Sequence, residues 1–286
     1  MDITNARYRA TRNWMSSSPG IDTLTFGQII WPGAHNSGMD WGLPQPLYDS
    51  VISNWILCQN QDFLWQLRNG ARALDLRFVK AQSGFRTFHG HVLGRSLGEL
   101  VSAVNAFLNE NPDEFIILDL HQLEGTGNIN FDYKIFNQAF LSGLESRLVP
   151  WEHQHHTLQQ LKTNKRRRVV VAASYHPDLD RRYFWAGIRH KWAGEAIVNT
   201  ADISRHIGDV LKSPPTNTPW SLSATSYSPF KGPTKLTKEL NDWFFPGGGL
   251  IEYASIINVD FFDESEIVKY CAMATDRVAE NQALHR

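Results

Sequence analysis

The stretch Ile29–Ser37, which reads I-I-W-P-G-A-H-N-S, carries the clearest structural signal in the chain. An apolar run ends in Pro32-Gly33, and the polar pair His35-Asn36 follows at once. Proline and glycine interrupt regular secondary structure. The order therefore predicts a buried strand that places two polar side chains at or just beyond its end.

Two later stretches have the same form. The stretch Ala73–Phe78 reads A-L-D-L-R-F, and its alternation predicts a strand with Asp75 and Arg77 on one face. Residues two apart on a strand lie about 6–7 Å from each other. The stretch Thr87–His91 reads T-F-H-G-H and brings His89 near another strand end. We predict that these three ends meet around one phosphate.

Strand-like and helix-like segments alternate along most of the chain, which is typical of an α/β fold. The link Lys80–Gly84 is too short for a parallel crossover, so we expect a local hairpin there. We predict a single TIM-like (β/α)8 barrel, distorted or incomplete, with a short connection between its second and third strands. The remaining predicted strands are Thr25–Trp31, Phe115–Leu120, Val169–Ser174, Ala196–Asn199, Ser221–Tyr227 and Ser255–Phe261.

No linker or repeat of fixed period divides the chain, so we expect one barrel domain over residues 1–286. Residues 1–24 are interpreted as a helical lead-in, residues 25–262 as the barrel, and residues 263–286 as a C-terminal helix. Ser96 and Glu99 have the spacing of a capping box and predict the start of one surface helix. Pro112 marks the end of that helix.

Composition excludes some classes of function. The 28 basic and 29 acidic residues leave a net charge of −1, so no global field favours nucleic acid. The N-terminus M-D-I-T-N-A-R has no visible signal-peptide pattern, and no apolar run approaches the roughly 18–20 residues of a membrane span. Cys58 and Cys271 fit no metal motif, and we interpret them as two buried free thiols.

The polar residues near the predicted strand ends include every group that phosphoryl transfer requires. Histidine can act as base and as acid near neutral pH, and arginine binds phosphate through a fixed fork of donors. Carboxylates orient imidazoles and favour their charged form. The set that supplies these roles is His35, His89, Arg77, Asp75 and Asp260.

Four motifs together resemble one family. W-P-G-A-H-N-S, A-L-D-L-R-F, F-H-G-H and I-I-L-D-L, in this order and spacing, resemble the catalytic domain of phosphatidylinositol-specific phospholipase C of the bacterial single-domain type. The resemblance covers about Phe26–Gln122 and returns at I-I-N-V-D-F-F, residues Ile256–Phe262. It implies a lyase that cleaves phosphatidylinositol to diacylglycerol and inositol 1,2-cyclic phosphate.

The resemblance also implies roles for individual residues. His35 would be the general base that takes the proton of the inositol 2-hydroxyl, with Asp260 supporting it from the last strand. His89 would be the general acid that protonates the leaving diacylglycerol oxygen. Asp75 and Arg77 match the acidic position of the second strand and the arginine that stabilises the phosphate.

This chain departs from the bacterial pattern at Asn36, where the simple bacterial enzymes have an aspartate. Asparagine is the choice of the calcium-dependent eukaryotic enzymes, whereas Arg77 is the bacterial choice. A guanidinium and Ca²⁺ about 4 Å apart repel by several kcal/mol at an effective dielectric constant of about 20. Asn36 and Asp75 also fall short of the oxygen ligands that Ca²⁺ prefers. We therefore expect no cofactor, with Ca²⁺ near Asn36 and Asp75 as the alternative.

The resemblance further implies an inositol pocket and a lipid-facing rim. The expected partner is phosphatidylinositol in a membrane surface, bound transiently by a monomer that is secreted or peripheral at membranes. The inositol-binding residues that the resemblance indicates are His121, Tyr175, Asn199 and Tyr227. The aromatic residues considered for the rim are Trp41, Trp55, Phe230, Phe244 and Phe245.

Two other functions stay open at this point. One is a metal-dependent phosphodiesterase or hydrolase on the same barrel, with His89, His91, Asp119 and Asp260 as metal ligands. Arg77 argues against a cation there, and Asp119 could equally be a structural partner of a nearby basic residue. The other is a non-catalytic phosphoinositide-binding module.

Overall fold

The computed structural model describes residues 11–43, 55–127, 129–194, 198–216, 219–228, 232–248 and 250–285. Within these ranges the chain is organised around one curled sheet with helices outside it. The strands of the described residues are β1 Trp31–Ala34, β2 Ala73–Ala81, β3 Gly84–His89, β4 Val92–Ser96, β5 Ile116–Gly125, β6 Val169–Ala173, β7 Phe184–Ala186, β8 Arg189–Lys191, β9 Trp220–Ser223, β10 Tyr227–Ser228, β11 Gly232–Pro233 and β12 Ile256–Val259.

Eight of these strands form a continuous parallel sheet in the order β7-β6-β5-β2-β1-β12-β9-β8. The two end strands, β7 and β8, are separated in sequence only by Gly187 and Ile188. The sheet must therefore curl until its ends meet, which makes it a barrel. The prediction of an α/β, TIM-like barrel is confirmed, and so is its distortion, because β7 pairs only with β6 and β8 only with β9 among the described strands.

A hairpin follows β2, as the short link predicted. β2 pairs with β3 in the antiparallel sense from Phe78↔Thr87 to Ala81↔Gly84. β3 then pairs with β4 across a turn at Gly90, whose φ of 59° suits glycine. His89 is the last residue of β3 and lies at the base of this turn.

The helices of the described residues pack around the sheet. The helix after β4 begins with the predicted capping box, in which Ser96 and Glu99 bond to each other's backbone N–H groups. The largest buried apolar cluster extends from Trp14 in the lead-in to Ala279 near the C-terminus. The helices are α1 Phe63–Arg68, α2 Leu97–Glu110, α3 Tyr133–Leu144, α4 Leu158–Lys162, α5 Thr200–Lys212, α6 Thr237–Trp243 and α7 Ile267–Leu284.

The first strand begins later than predicted. A 3-10 turn over Phe26–Gln28 occupies part of the expected strand, and β1 starts at Trp31. Gly33 lies inside β1 because a Cβ there would be 2.9 Å from Ile256 and 3.0 Å from the backbone of the next residue. Glycine thus allows β1 and β12 to pair, where the sequence suggested an interruption.

The sixth predicted strand, Ala196–Asn199, is wrong in its described part. Residues 195–197 lie outside the described residues, and Asn199 caps helix α5. The chain instead supplies β7 and β8 at this position in the barrel. Periodicity missed β8 because its three residues are all basic and none is buried, so the strand has no apolar signal.

Candidate active site

The candidate site lies at the C-terminal ends of four neighbouring parallel strands. β5, β2, β1 and β12 are adjacent in the sheet, so their ends meet at one edge of the barrel. In these barrels that edge carries the chemistry. His35 directly follows β1, Asp75 and Arg77 lie on β2, and Asp260 directly follows β12.

His35 is held between an acid and a base partner. Its Nδ1 atom is 2.7 Å from Oδ1 of Asp260, and both residues are buried. Its backbone N–H donates to the carbonyl of Val259 at 3.0 Å. The amide of Gln59, which is fully buried, donates to the carbonyls of His35 at 2.8 Å and of Val259 at 3.0 Å. The backbone around the histidine is therefore fixed from both sides.

The contact with Arg77 fixes the tautomer of His35. Nε2 of the imidazole is 3.0 Å from Nη2 of Arg77. A guanidinium can only donate, so Nε2 must accept and Nδ1 must carry the proton that it donates to Asp260. The lone pair of His35 thus points toward the place where Arg77 would meet an anionic substrate, as a general base requires.

Asp75 lies at the centre of the charged and polar contacts of the site. One carboxylate oxygen lies 3.6 Å from Nη2 of Arg77 and 3.2 Å from the Asn258 amide, and the other lies 3.2 Å from Nδ1 of His121. Burial alone would raise the pKa of Asp75, but Arg77 and His121 outweigh it and hold that pKa well below its usual range. Asp75 is therefore an anion at neutral pH and anchors Arg77 in the barrel.

His89 faces the other side of the site. Its Nδ1–H donates to the carbonyl of Ile56 at 3.1 Å, which leaves Nε2 directed toward the Tyr227 hydroxyl at 3.5 Å. The ring of Tyr227 in turn stacks on Trp55. Burial lowers the pKa of His89 to about 4, and nearby His35 and Arg77 also lower it. Within the described residues, no carboxylate is recorded in a hydrogen bond with His89.

Asn36 and Cys58 occupy the space between these two halves. Asn36 adopts a left-handed conformation with φ of 47°, which directs its backbone N–H to Asp75 at 3.3 Å. Its side-chain amide faces the Cys58 thiol at 3.7 Å, and that sulfur is 3.5 Å from the Tyr227 hydroxyl. Both Cys58 and Cys271 are buried and free, as predicted.

A second pair of histidines extends the charge network from β5 to β8. The ring of His121 stacks on that of His190, with centroids 3.8 Å apart. Nε2 of His190 donates to the Asp119 carboxylate at 2.7 Å. Burial lowers the pKa of His190, but Asp119 outweighs it and raises that pKa overall. Asp119 is thus the carboxylate partner of a strand histidine.

The predicted inositol-binding residues separate into two groups. His121 and Tyr227 contact Asp75 and His89, respectively, and so lie in the site. Tyr175 is 69% exposed and packs under Arg181. Asn199 is exposed, and its side chain bonds to the first turn of α5. The described contacts of these last two residues are local and do not reach His35 or His89.

The residues do not fit a Ca²⁺ ion near Asn36 and Asp75. Both oxygens of Asp75 already have partners, Arg77 and the Asn258 amide at one and Nδ1 of His121 at the other, and the amide nitrogen of Asn36 faces a thiol. The alternative ligand set of His89, His91, Asp119 and Asp260 does not come together either, since His91 is exposed and Asp119 bonds to His190. The one three-residue group of possible metal ligands in the described part of the chain is His35, Cys58 and Asp260.

Sequence reasoning missed three residues of the site. Asn258 is two residues before Asp260, so strand alternation places both on one face and could have identified it. His190 lies on a strand that was not predicted. Cys58 lies in a segment without regular structure of its own, and its spacing gave no signal of the neighbours that it contacts.

The barrel and its site have the arrangement that the resemblance to phosphatidylinositol-specific phospholipase C implies. They combine an α/β barrel with a histidine–aspartate pair, an arginine and a second histidine at the C-terminal strand ends. No protein-family model matches the chain. The comparisons with individual proteins nevertheless agree with that class.

In sequence, the chain is similar to two curated proteins of this kind. It is 32% identical over 131 residues to the 1-phosphatidylinositol phosphodiesterase of Listeria monocytogenes, in a match that covers 44% of this chain and 37% of that protein. It is 28% identical over 261 residues to the variant-surface-glycoprotein phospholipase C of Trypanosoma cruzi, covering 78% of this chain and 67% of that protein. The match thus spans little more than a third of the Listeria relative's length.

In fold, the chain is similar to the solved phosphatidylinositol-specific phospholipase C of Listeria monocytogenes. The TM-score is 0.69 at 16% identity, and the match covers 93% of this chain and 99% of that structure. The sequence similarity and the fold together confirm the resemblance to phosphatidylinositol-specific phospholipase C.

Proposed function

We propose that the chain is a phosphatidylinositol-specific phospholipase C. In this proposal His35 removes the proton of the inositol 2-hydroxyl, and the resulting oxygen attacks phosphorus. The bond from phosphorus to the diacylglycerol oxygen breaks, and His89 gives that oxygen a proton. The products are diacylglycerol and inositol 1,2-cyclic phosphate, and the whole chain acts as one barrel domain.

The observation that carries the proposal is the position of Arg77 against His35. Nη2 of Arg77 contacts the lone pair of the base, whereas its Nε is buried and has no hydrogen-bond partner within the described residues. A buried unpaired donor is costly, and a phosphoryl oxygen would satisfy it. Phosphate binding would thus draw the guanidinium onto the substrate and free Nε2 of His35 to accept a proton.

The low pKa of His89 sets a requirement on its role as the acid. A general acid must carry a proton, yet the pKa of His89 is about 4 because it is buried without a carboxylate partner. The bound phosphodiester brings a negative charge into the site and raises that pKa through its own field. Protonation of His89 is therefore coupled to substrate binding in our proposal.

We also propose that the reaction needs no metal ion. Arg77 supplies the positive charge that a cation would bring, and its ion pair with Asp75 occupies the nearest carboxylate. A second cation at the same place would meet the repulsion of the guanidinium.

The second pair of histidines, His121 and His190, lies beside Asp75 and would face the inositol hydroxyls.

The expected partner is phosphatidylinositol in a membrane surface, met by a monomer that is secreted or peripheral. No helix of the described residues is long and apolar enough to cross a bilayer. Of the aromatic residues considered for a lipid-facing rim, Trp41 and Phe245 are each 43% exposed. Phe244 is fully buried, Trp55 packs on Tyr227, and Phe230 lies outside the described residues.

The proposal is tested with vesicles of phosphatidylinositol and, separately, of phosphatidylcholine, each with EDTA or with Ca²⁺. Phosphorus NMR reports the cyclic phosphate directly. We expect a cyclic product from the inositol lipid only, at a rate that EDTA does not change. The absence of cyclic product under every condition would refute the phospholipase. Loss of turnover in EDTA with recovery on Ca²⁺ would support the metal-dependent alternative, and binding without turnover would support the binding module.

A further inference from the structure

The Cys58 thiol is buried among the catalytic side chains, where the proposed reaction has no use for it. Its sulfur is 3.9 Å from Nδ1 of His89 and 3.5 Å from the Tyr227 hydroxyl, and the residue is fully buried. One ligand atom each from His35, Cys58 and Asp260 lies within 4.8 Å of the other two. An imidazole, a thiol and a carboxylate therefore converge on one small volume.

A second observation indicates that this volume can receive a ligand. Asp260 is 4% exposed, and its Oδ2 atom has no hydrogen-bond partner in the described part of the chain. Its other oxygen already bonds to His35. A buried carboxylate oxygen without a donor is costly, and a cation would satisfy it.

The three ligand types select the class of cation. Nitrogen, sulfur and carboxylate oxygen in a set of three or four are typical of Zn²⁺ and similar thiophilic ions. Ca²⁺ and Mg²⁺ require more oxygen ligands and do not favour sulfur. The set thus differs in position and chemistry from the Ca²⁺ alternative near Asn36 and Asp75.

The local charges permit such an ion despite Arg77. With a divalent cation bound and the thiol deprotonated, Asp75, Asp260 and the Cys58 thiolate supply three negative charges. Arg77 and the ion supply three positive charges, so the group is balanced. The thiol proton passes to solvent, and no other covalent bond forms or breaks.

We propose that His35, Cys58 and Asp260 bind a thiophilic divalent cation of the Zn²⁺ type, and that this ion inhibits the enzyme reversibly. Nε2 of His35 faces Arg77 at 3.0 Å, so the ion binds through Nδ1, on the side of Asp260. Binding there moves the ring proton to Nε2 and removes the lone pair that accepts the substrate proton. The inhibition rests on the proposed phospholipase activity, whereas the binding of the ion does not.

The binding is tested with Co²⁺ as a spectroscopic probe of chelator-treated protein. We expect thiolate-to-cobalt charge-transfer absorption at one equivalent of Co²⁺, removed by one equivalent of Zn²⁺. The matched variants are Cys58→Ser and Cys271→Ser, since Cys271 is also fully buried but lies in α7. The absorption should vanish in the first and persist in the second. Its presence in Cys58→Ser, or its absence from wild type, would overturn the site.

The inhibition is tested by turnover of phosphatidylinositol vesicles over a Zn²⁺ series, each variant scaled to its own rate in EDTA. Loss of a direct ligand should weaken inhibition by more than the roughly 10–100-fold that an outer partner costs. Cys58→Ala serves if the serine variant unfolds. Equal Zn²⁺ sensitivity in wild type and the Cys58 variants would overturn the inhibition, and so would activation by Zn²⁺. Absence of turnover in EDTA would refute the phospholipase and leave the cobalt result to decide the site.

Discussion

Nε2 of His35 lies 3.0 Å from Nη2 of Arg77, so the proposed base and the proposed phosphate ligand contact each other directly in the free protein. Asp260 completes this arrangement by accepting the Nδ1 proton at 2.7 Å. The orientation of the base is thus fixed before substrate arrives. Nε2 of His35 can accept a proton from the substrate only once the guanidinium of Arg77 has moved away from it.

Replacement of Arg77 tests this dependence. Arg77→Met removes the donors for the phosphoryl oxygens, and we expect kcat/KM to fall by roughly 10²–10³-fold. Arg77→Lys keeps a charge without the fork and should recover only part of the loss. Initial rates on phosphatidylinositol vesicles check both values. Equal activity of the lysine variant and wild type would contradict the role of the fork.

Asp260→Asn tests the partner of the base. An amide can donate to Nδ1, which would place the ring proton on Nε2 and remove the lone pair from the reacting position. We expect kcat to fall by roughly 10²–10⁴-fold with little change in KM. Asp263→Asn, three residues later and exposed, is the control and should retain activity. A similar loss in both variants would indicate a structural effect.

Asn36→Asp tests how the acid is controlled. Aspartate, like asparagine, tolerates the left-handed conformation that this position requires. A carboxylate here would raise the pKa of His89. We expect the group that must be protonated in the pH profile of kcat/KM to titrate at a higher pH than in wild type. An unchanged profile would show that this position does not control the acid.

His89 also predicts a pH dependence of stability. Its folded pKa of about 4 lies below the ordinary value of about 6.5, so the unfolded chain binds the proton first as pH falls. The unfolding free energy is therefore not reduced by His89 above about pH 6.5. It falls by up to about 3 kcal/mol as the pH drops toward 4. Urea unfolding at both pH values measures it. Between the two pH values, the unfolding free energy of His89→Gln should fall by correspondingly less than that of wild type. An equal fall in both proteins would contradict the assignment of this pH dependence to His89.

Replacement of Arg72, which lies away from the site, should lower the free energy of unfolding. Its guanidinium is fully buried, bonds to Glu114 at 2.7 Å and donates to three backbone carbonyls. Arg72→Met leaves that carboxylate buried and unpaired, which should cost about 3–5 kcal/mol of unfolding free energy. The exposed pair of Arg68 and Glu110 is the control, and Arg68→Met should cost far less, because solvent screens an exposed ion pair. Urea denaturation compares the two, and equal costs would refute the argument.

The cluster of His35, Asp75, Arg77 and Asp260 could be predicted because its signals are local. His35, Asp75 and Arg77 each follow from strand alternation or from a strand end, and the family motifs contain them. Asp260 follows from the repeat of the same pattern in the last strand. Parallel strands then bring these ends to one edge without further information.

The remainder depends on contacts that periodicity does not encode. The pairing of His190 with Asp119 requires β8, and the basic sequence of that strand resembles the sequence of a loop. Asn199 resembled a strand residue because apolar residues precede it. Its side chain instead accepts a hydrogen bond from the backbone N–H of Asp202 and caps the helix that follows. Cys58 reaches the site through an irregular segment, so only the fold could place its thiol beside two histidines.

The link between β7 and β8 gives the pair of His190 and Asp119 a further meaning. Among the described strands β7 pairs only with β6 and β8 only with β9, so the chain itself, through Gly187 and Ile188, closes the barrel here without a backbone ladder between the two strands. The 2.7 Å bond from β8 to β5 and the stacked imidazoles span that side instead. These side-chain contacts therefore add, beside the candidate site, the cross-strand support that a ladder between β7 and β8 would otherwise give.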